Sequence, residues 1–228
     1  LRVLYLIDSL GPGGAQRQLT TLIRALDRDA VSPEVAIYYP IHHFTDELRR
    51  EGVPLHMLGP GGGRDPRVLL RLARLMSSGS YDLVHTFLRT PGVLARAASF
   101  LAPGTPVVVS ERSTGLSGER VRLILERLLA PRARAFVVNS HAMADELLVL
   151  VPGLRGRLFV VPNGIMWSEP SAEDVATGAR FRERHIGDAD TILLAVSRVS
   201  SEKGPDVLAD ALLRTSEDAL RRLSVVWI

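Results

Sequence analysis

The sequence predicts an α/β protein made of two doubly wound, Rossmann-like parallel-sheet domains, the second of them truncated. Three observations carry this. Short apolar runs alternate with amphipathic helical stretches along all 228 residues. The runs are apolar at successive positions, as strands covered on both faces are. The same alternation then restarts after a stretch rich in Pro, Asn, Gly and Ser that opens at Pro162.

In order, the strands are expected at Val3–Ile7, Val35–Tyr39, Pro54–Leu58, Leu83–Thr86, Val107–Ser110, Ala135–Val138 and Leu158–Val161. Helical spacing of apolar residues falls between most of them, at Gln16–Leu26, Pro66–Met76, Gly92–Leu101, Glu119–Leu129 and His141–Val151. Seven strands complete a first domain, residues 1–164. The linker runs from Pro162 to Ala172, and residues 165–228 hold a helix near Glu173–Arg184 and a strand at Thr191–Val196. A helix from Pro205 and a last strand-like run, Ser224–Ile228, follow. The chain opens at Leu1 inside a strand-like run and stops inside another, which reads as a piece of a longer protein. No charged-then-apolar leader is visible at its start.

Composition narrows the function. With 46% hydrophobic and 23% charged residues the chain has material for a buried core. It has no cysteine, so disulfides, thiolate metal sites and cysteine nucleophiles are excluded. Apolar runs such as Leu147–Val151 are far shorter than the roughly 18 residues that cross a bilayer. The net charge is +3, and of 28 basic residues only Lys203 is a lysine. Basic runs are short and aromatics are 5%, so no nucleic-acid partner is expected. No His/Asp/Glu grouping has metal-ligand spacing, and Ser113 and Ser140 lack the elbow context of a hydrolase nucleophile.

Ligands of open parallel sheets bind beyond the carboxyl ends of the strands. After the first strand comes Asp8-Ser9-Leu10-Gly11-Pro12-Gly13-Gly14-Ala15-Gln16, running into a helix. Glycines admit close approach of a ligand and a helix start favours an anion; a tight strand-to-helix turn is the plainer explanation. A dinucleotide site fails twice, for Gln16 stands where the third glycine belongs and the second strand ends Tyr38-Tyr39-Pro40 without an acidic residue. In the second domain, Ser197-Arg198-Val199-Ser200-Ser201-Glu202-Lys203-Gly204-Pro205 follows the first strand. Pro205 suits a first helical turn, so Lys203 stands at a helix mouth with Arg198 at the strand end. Two cations and free helix amides suit a diphosphate and the charge it gains on leaving.

Ser197–Gly204 resembles the G-R-L-x-x-E-K-G segment of glycosyltransferase family 4. Gly13-Gly14-Ala15-Gln16-Arg17 resembles that family's G-G-A-E-R loop, and Val161-Pro162-Asn163-Gly164-Ile165 its V-P-N-G-V stretch. Tyr81–His85 and Val137–Ser140 also look like family segments, so the resemblance extends along the whole chain. It implies the GT-B fold, two Rossmann-like domains facing across a cleft. It also implies a retaining hexosyl transfer from a nucleotide-diphosphate sugar, of UDP or GDP type, to a hydroxyl of a glycan, lipid or lipid-linked intermediate. No cofactor and no divalent metal are implied, and the setting is cell-envelope polysaccharide assembly in the cytoplasm or at the inner face of the membrane.

By the same resemblance Arg198 and Lys203 are the catalytic cations, and Gly13, Gly14, Asn163, Gly164 and Glu202 bind the donor. Asp8, His85, Glu111 and Arg112 are candidate acceptor or sugar contacts, although buried hydrogen bonding explains Asp8 and His85 as well. Arg112 stands where many members have a histidine, and Ser197 and Val199 replace a glycine and a leucine. The family's paired glutamates are absent; Glu111 and Glu119 have the spacing but lie in the first domain. The fragment is expected to be inactive alone. A non-catalytic GT-B-like binding module and a nucleotide-sugar epimerase are the alternatives. His42 and His43, expected to open a helix after the second strand, are more simply surface residues. Arg67, Arg71 and Arg74 lie opposite an apolar helix face, the pattern of a helix packed on the sheet or of one lying on anionic lipid.

Overall fold

The chain runs β1 (Arg2–Leu6), α1 (Gly14–Ala25), β2 (Ser32–Ile37), α2 (Thr45–Arg50), β3 (Leu55–Met57), α3 (Pro66–Ser78), β4 (Leu83–Phe87) and α4 (Arg89–Ala98). It continues with β5 (Val107–Glu111), α5 (Arg120–Leu129), β6 (Ala135–Val138), α6 (His141–Leu150) and β7 (Leu158–Val160). The last elements are α7 (Ala172–His185), β8 (Thr191–Ala195), α8 (Pro205–Leu213), α9 (Glu217–Arg221) and β9 (Leu223–Trp227). This computed structural model describes residues 1–59, 62, 65–112, 120–186 and 189–228, the side chain of residue 122 apart. Glu119 and Ser113, named from the sequence, and most of the loop 59–64 lie outside the described residues.

Leu1–Met166 and Trp167–Ile228 form two units. In the first, seven strands pair in the order β3-β2-β1-β4-β5-β6-β7, every pair parallel. β1 shows why its sequence is continuously apolar. Leu4 and Leu6 face one core with Ala36, Val84, Val68, Leu72 and Ala95, while Val3, Tyr5 and Ile7 face the other with Val35, Ile37, Leu19 and Ile23. Each fully buried Leu or Ile side chain contributes roughly 1.5–3 kcal/mol. α3 turns Val68, Leu72 and Met76 into the first core and leaves Arg67 and Arg74 outside. Its apolar face is therefore occupied by the sheet rather than offered to a lipid surface. No helix among the described residues is long and apolar enough to cross a membrane.

Most helix ends shift by one or two residues from the sequence reading, and the larger departures are these. α4 starts at Arg89, three residues before Gly92, because Pro91 falls in its first turn, where a missing N–H is tolerated. α2 begins at Thr45, so His42 and His43 precede it; His42 Nδ1 and Thr45 Oγ1 share a 3.2 Å hydrogen bond. A short helix, α9, occupies Glu217–Arg221 where only a connection was expected, with the Ser216 hydroxyl accepting from Ala219 N.

Two buried polar clusters pin the sheet. Glu34 on β2, 6% exposed, accepts from Tyr81 Oη at 2.7 Å and pairs with Arg2 at 2.7 Å and His56 at 2.6 Å. Burial alone raises its pKa, but hydrogen bonds from Tyr81, His56 and Arg2 outweigh that and hold the carboxyl below its usual value. On the same face of the sheet, Arg96 of α4 is fully buried against Glu126 of α5 at 2.7 Å and donates to Gly92 O at 2.9 Å. Gly92 is required there, since a Cβ would come within 2.8 Å of Val109 Cγ1 on β5. Replacing Arg96 by Met leaves the Glu126 charge buried alone and is expected to destabilise by about 3–5 kcal/mol in urea unfolding. The double replacement Arg96→Met with Glu126→Leu is expected to recover most of that loss.

Candidate active site

The first unit's strand order places a topological switch between β1 and β4, where the chain leaves in opposite directions. On the β1 side, Asp8 organises the loop. Its carboxylate accepts from Ser9 N at 2.6 Å and from Gln16 Nε2 at 2.9 Å, while its carbonyl accepts from Tyr38 N and Tyr39 N. Gly13 is the extended N-cap of α1, and a Cβ on it would lie 2.3 Å from Gln16 Oε1. That glycine therefore admits the Gln16 amide to Asp8. Gly14 begins the helix, with nothing within 4 Å of where its Cβ would be. No side chain caps α1 and no acidic residue lies in its first turn, which leaves its N-terminal amides available to an anion.

On the β4 side, Leu88 has φ 75° and ψ 161°, backbone that a branched side chain rarely adopts. Leu88 N donates to Ser110 O at 3.0 Å, and its conformation points Arg89 toward Glu111, at 3.4 Å from Arg89 Nε to the carboxylate. Glu111 is 4% exposed, so this pair stands at the buried exit of β5. Next to it, Arg112 lies 5.0 Å over the Phe87 ring and donates from Nη1 to the Asn163 side-chain oxygen. Its Nε is buried without a hydrogen-bond partner, and burial lowers the guanidinium pKa. Gln18 of α1 holds the following residue by two bonds, donating to Gly164 O at 2.7 Å and accepting from Gly164 N at 3.1 Å. Asn163 and Gly164 are thus tied to the first unit by Arg112 and Gln18.

His85 lies within β4 rather than beyond its end. Its ring sits 5.6 Å from Tyr5 and 5.0 Å from Phe87, and Nε2 shares a 2.8 Å hydrogen bond with Ser110 Oγ. Burial, with Arg112 adding a smaller push, lowers its pKa to about 4. In this geometry His85 is a neutral packing residue between strands.

A cavity of about 470 Å³ opens beside the switch point. Asp8, Tyr38, Leu88, Arg89, Thr90 and Glu126 are among its lining residues; His85, Glu111 and Arg112 are not. Tyr38 Oη and Glu126 Oε1 are both buried without a hydrogen-bond partner, as is Arg96 Nη1 behind Glu126. Burial, with Asp8 and Tyr39 nearby, pushes the Tyr38 phenol well above its ordinary pKa. Sequence reasoning missed Tyr38, Leu88, Arg89 and Glu126. Only the Tyr38 position beyond β2 was visible in advance, and it was used there merely to reject a dinucleotide.

The second unit holds the remaining candidates. β8 and β9 pair in parallel, and Trp227 Nε1 donates to Ser197 O at 2.7 Å just beyond β8. Arg198 Nη2 donates to Glu202 Oε1 at 2.6 Å, with 81% of the Arg198 side chain exposed. Glu202 therefore orients a guanidinium. Lys203 closes a 3-10 turn, and Gly204 at φ 66° caps α8, whose first residue is Pro205. The cation stands immediately before the N-cap residue of α8, a helix start with no side-chain cap.

The sequence profile of Glycosyltransferase Family 4 matches residues 12–166. The chain belongs to that family. It is 27% identical over 164 residues to the D-inositol 3-phosphate glycosyltransferase of Xylanimonas cellulosilytica, covering 66% of this chain and 39% of the relative. Among solved structures it is similar to Anabaena HepE in complex with UDP and glucose, at TM-score 0.76 and 21% identity, covering 99% of this chain and 60% of HepE. A glycosyltransferase of Rickettsia africae matches at TM-score 0.71 and 16% identity, covering 99% of this chain and 68% of that one. These likenesses establish the GT-B glycosyltransferase fold, and the chain spans 39% of the length of the curated relative and 60% of HepE.

Because His85 is held neutral, its nitrogen resonances are expected to stay unprotonated down to about pH 5 in an NMR titration. The sign of its effect on stability follows. Between pH 6.5 and about 4 the unfolded chain binds a proton that the folded chain refuses, so stability falls as pH drops through that window, by roughly 3 kcal/mol at most. His85→Gln is expected to flatten that part of the stability–pH profile.

Proposed function

We propose that the whole protein is a retaining glycosyltransferase that moves a hexosyl group from a nucleotide-diphosphate sugar, of UDP or GDP type, to an acceptor hydroxyl of a glycan or lipid-linked saccharide. The observation that carries this is the loop beyond β8. Arg198 is held in place by Glu202 while remaining exposed, and Lys203 stands immediately before the Gly204–Pro205 start of α8. In such a loop the two cations hold the donor diphosphate and offset the charge that builds on it as the glycosidic bond breaks. A compact ammonium serves there as a point charge, and the guanidinium adds a planar fork. Lys203 is the one lysine in the chain.

The first unit receives the acceptor. Gly13 and Gly14 let backbone amides approach the donor's phosphate or sugar, and Asp8 sets the shape of that loop. Asn163 and Gly164 hold the start of the connecting segment, and Arg112 is a positioning residue through Asn163. Glu111 positions Arg89. His85 supports the strand beneath them. The presence of UDP with HepE supports a uridine donor for this chain, and the family supports transfer over the two alternatives.

In the whole protein Lys203→Ala and Arg198→Ala are each expected to lower turnover by about 10²–10³-fold. Thermal unfolding should shift little, because both side chains are exposed. Calorimetric titration with UDP-glucose and GDP-mannose, each with Lys203→Ala as control, reads donor binding directly. Unchanged turnover in either variant sinks the proposal. Conversion of the donor without acceptor would instead identify an epimerase.

A further inference from the structure

We propose that Gln18 is a positioning residue for transfer. By bonding both backbone groups of Gly164 it holds Asn163 and Gly164 in register with the Gly13–Gly14 loop at the start of its own helix. The inference rests on the transferase reading, in which Gly13 and Gly14 approach the donor and Asn163 and Gly164 hold the start of the connecting segment. It adds a residue that acts through another.

Gln18 Nε2 donates to Gly164 O at 2.7 Å, and its Oε1 accepts from Gly164 N at 3.1 Å. An uncharged amide offers a donor and an acceptor side by side. Reversed, it would face N–H with N–H and C=O with C=O, so its partners fix its orientation. Two places earlier, Gln16 gives its amide to Asp8 at 2.9 Å. Two residues along a helix turn the side chain by about 200°. α1 therefore holds the loop after β1 with one amide and the connecting segment with the other.

Nothing else does the work of this tie. Val161 N donates to Val138 O at 2.8 Å, the last bond of that run to the sheet. Among the described residues, the backbone from Pro162 to Pro170 makes hydrogen bonds only at Gly164, and both go to Gln18. Arg112 holds only the side chain of Asn163. Packing does not substitute. A hollow of about 260 Å³ lies between α1, α2 and this segment, lined by Gln18, Thr21, Phe44, Gly164, Ile165 and Met166 among others. Ile165 and Met166 are mostly exposed. A segment beside open space and held at one residue takes its place from that residue.

The test compares the whole protein with Gln18→Met, which keeps length and helix propensity and removes both hydrogen bonds, and with Gln18→Glu. Hydrogen exchange across residues 162–166, read by mass spectrometry, is expected to be about tenfold faster or more in Gln18→Met. Turnover is read as UDP or GDP released from UDP-glucose and GDP-mannose with methyl glucoside, methyl mannoside and myo-inositol present. It is expected to fall by about tenfold, with the thermal midpoint unchanged. Gln18→Glu separates positioning from helix support. Ionised, its carboxylate has no proton for Gly164 O; protonated, it again sets a donor beside an acceptor. Its turnover relative to the unmutated protein is expected to rise about twofold or more from pH 8 to pH 5, and that of Gln18→Met to stay level. The charged groups around the position are Arg17, Arg24 and Glu47 on the hollow, Glu51 bonded to Arg24, and Arg112 at Asn163. Both variants keep all of them, so they cancel in the comparison. Unchanged exchange or unchanged turnover in Gln18→Met overturns the proposal. So does a level pH ratio in Gln18→Glu, or a midpoint lowered by several degrees in Gln18→Met. No release by the unmutated protein overturns the transferase reading and this proposal with it; normal release with any of the preceding results overturns this proposal alone.

Discussion

A parallel sheet has a direction, and the first unit of this protein depends on it. All seven strands end on the same edge, so every strand-to-helix loop is delivered to one side. Because β2 and β3 lie on one flank of β1 and β4 to β7 on the other, the loops after β1 and β4 part and leave a hollow between them. Asp8, Tyr38, Leu88 and Arg89 are brought together by that topology alone, from sequence positions far apart. The helices cover the two faces, and α4 and α5 also supply wall residues of the hollow, among them Arg89 and Glu126.

The strands were legible because burial on both faces writes a strong signal. Each of the seven runs read from the sequence overlaps a strand of the sheet, and the shifts are confined to their ends. Helices with a clear apolar stripe, such as α1 and α3, were equally legible. α9 is too short to show a period, and the start of α4 is concealed by Thr90-Pro91-Gly92, which resembles a turn when the positive φ of Leu88 is unknown. The second unit's β8, α8 and β9 also follow the sequence reading, with their Arg198 and Lys203 placed at the loop by local residues alone.

The chemistry of the candidate site was legible only where it is local in sequence. Gly13, Gly14 and Gln16 stand together, so the loop drew notice, but the purpose of Gln16 emerges only from its bond to Asp8. Glu126 lies inside the helical stretch Glu119–Leu129 and has no local signal of its own. That it faces Arg96 from another helix, and leaves one oxygen unmatched, depends on how α4 and α5 pack. Tyr38 reads as the end of a strand until its hydroxyl is found buried and alone. His85 was read as open between chemistry and buried hydrogen bonding, and the structure surrounds its partly exposed ring with Tyr5, Phe87 and Ser110.

Two side-chain ties set how far the connecting segment is held to the first unit. Gln18 satisfies both the N–H and the C=O of Gly164, much as a neighbouring strand would, and Arg112 fastens Asn163. The backbone therefore behaves as part of the first unit through Gly164, beyond the end of β7 by four residues. Ile165 and Met166 follow with their side chains 78% and 65% exposed. The last side-chain tie to α1 therefore falls at Gly164 and not at Pro162, where the composition changes. Gln18 belongs to α1, so the connecting segment is bolted to the same helix whose first-turn amides no side chain caps.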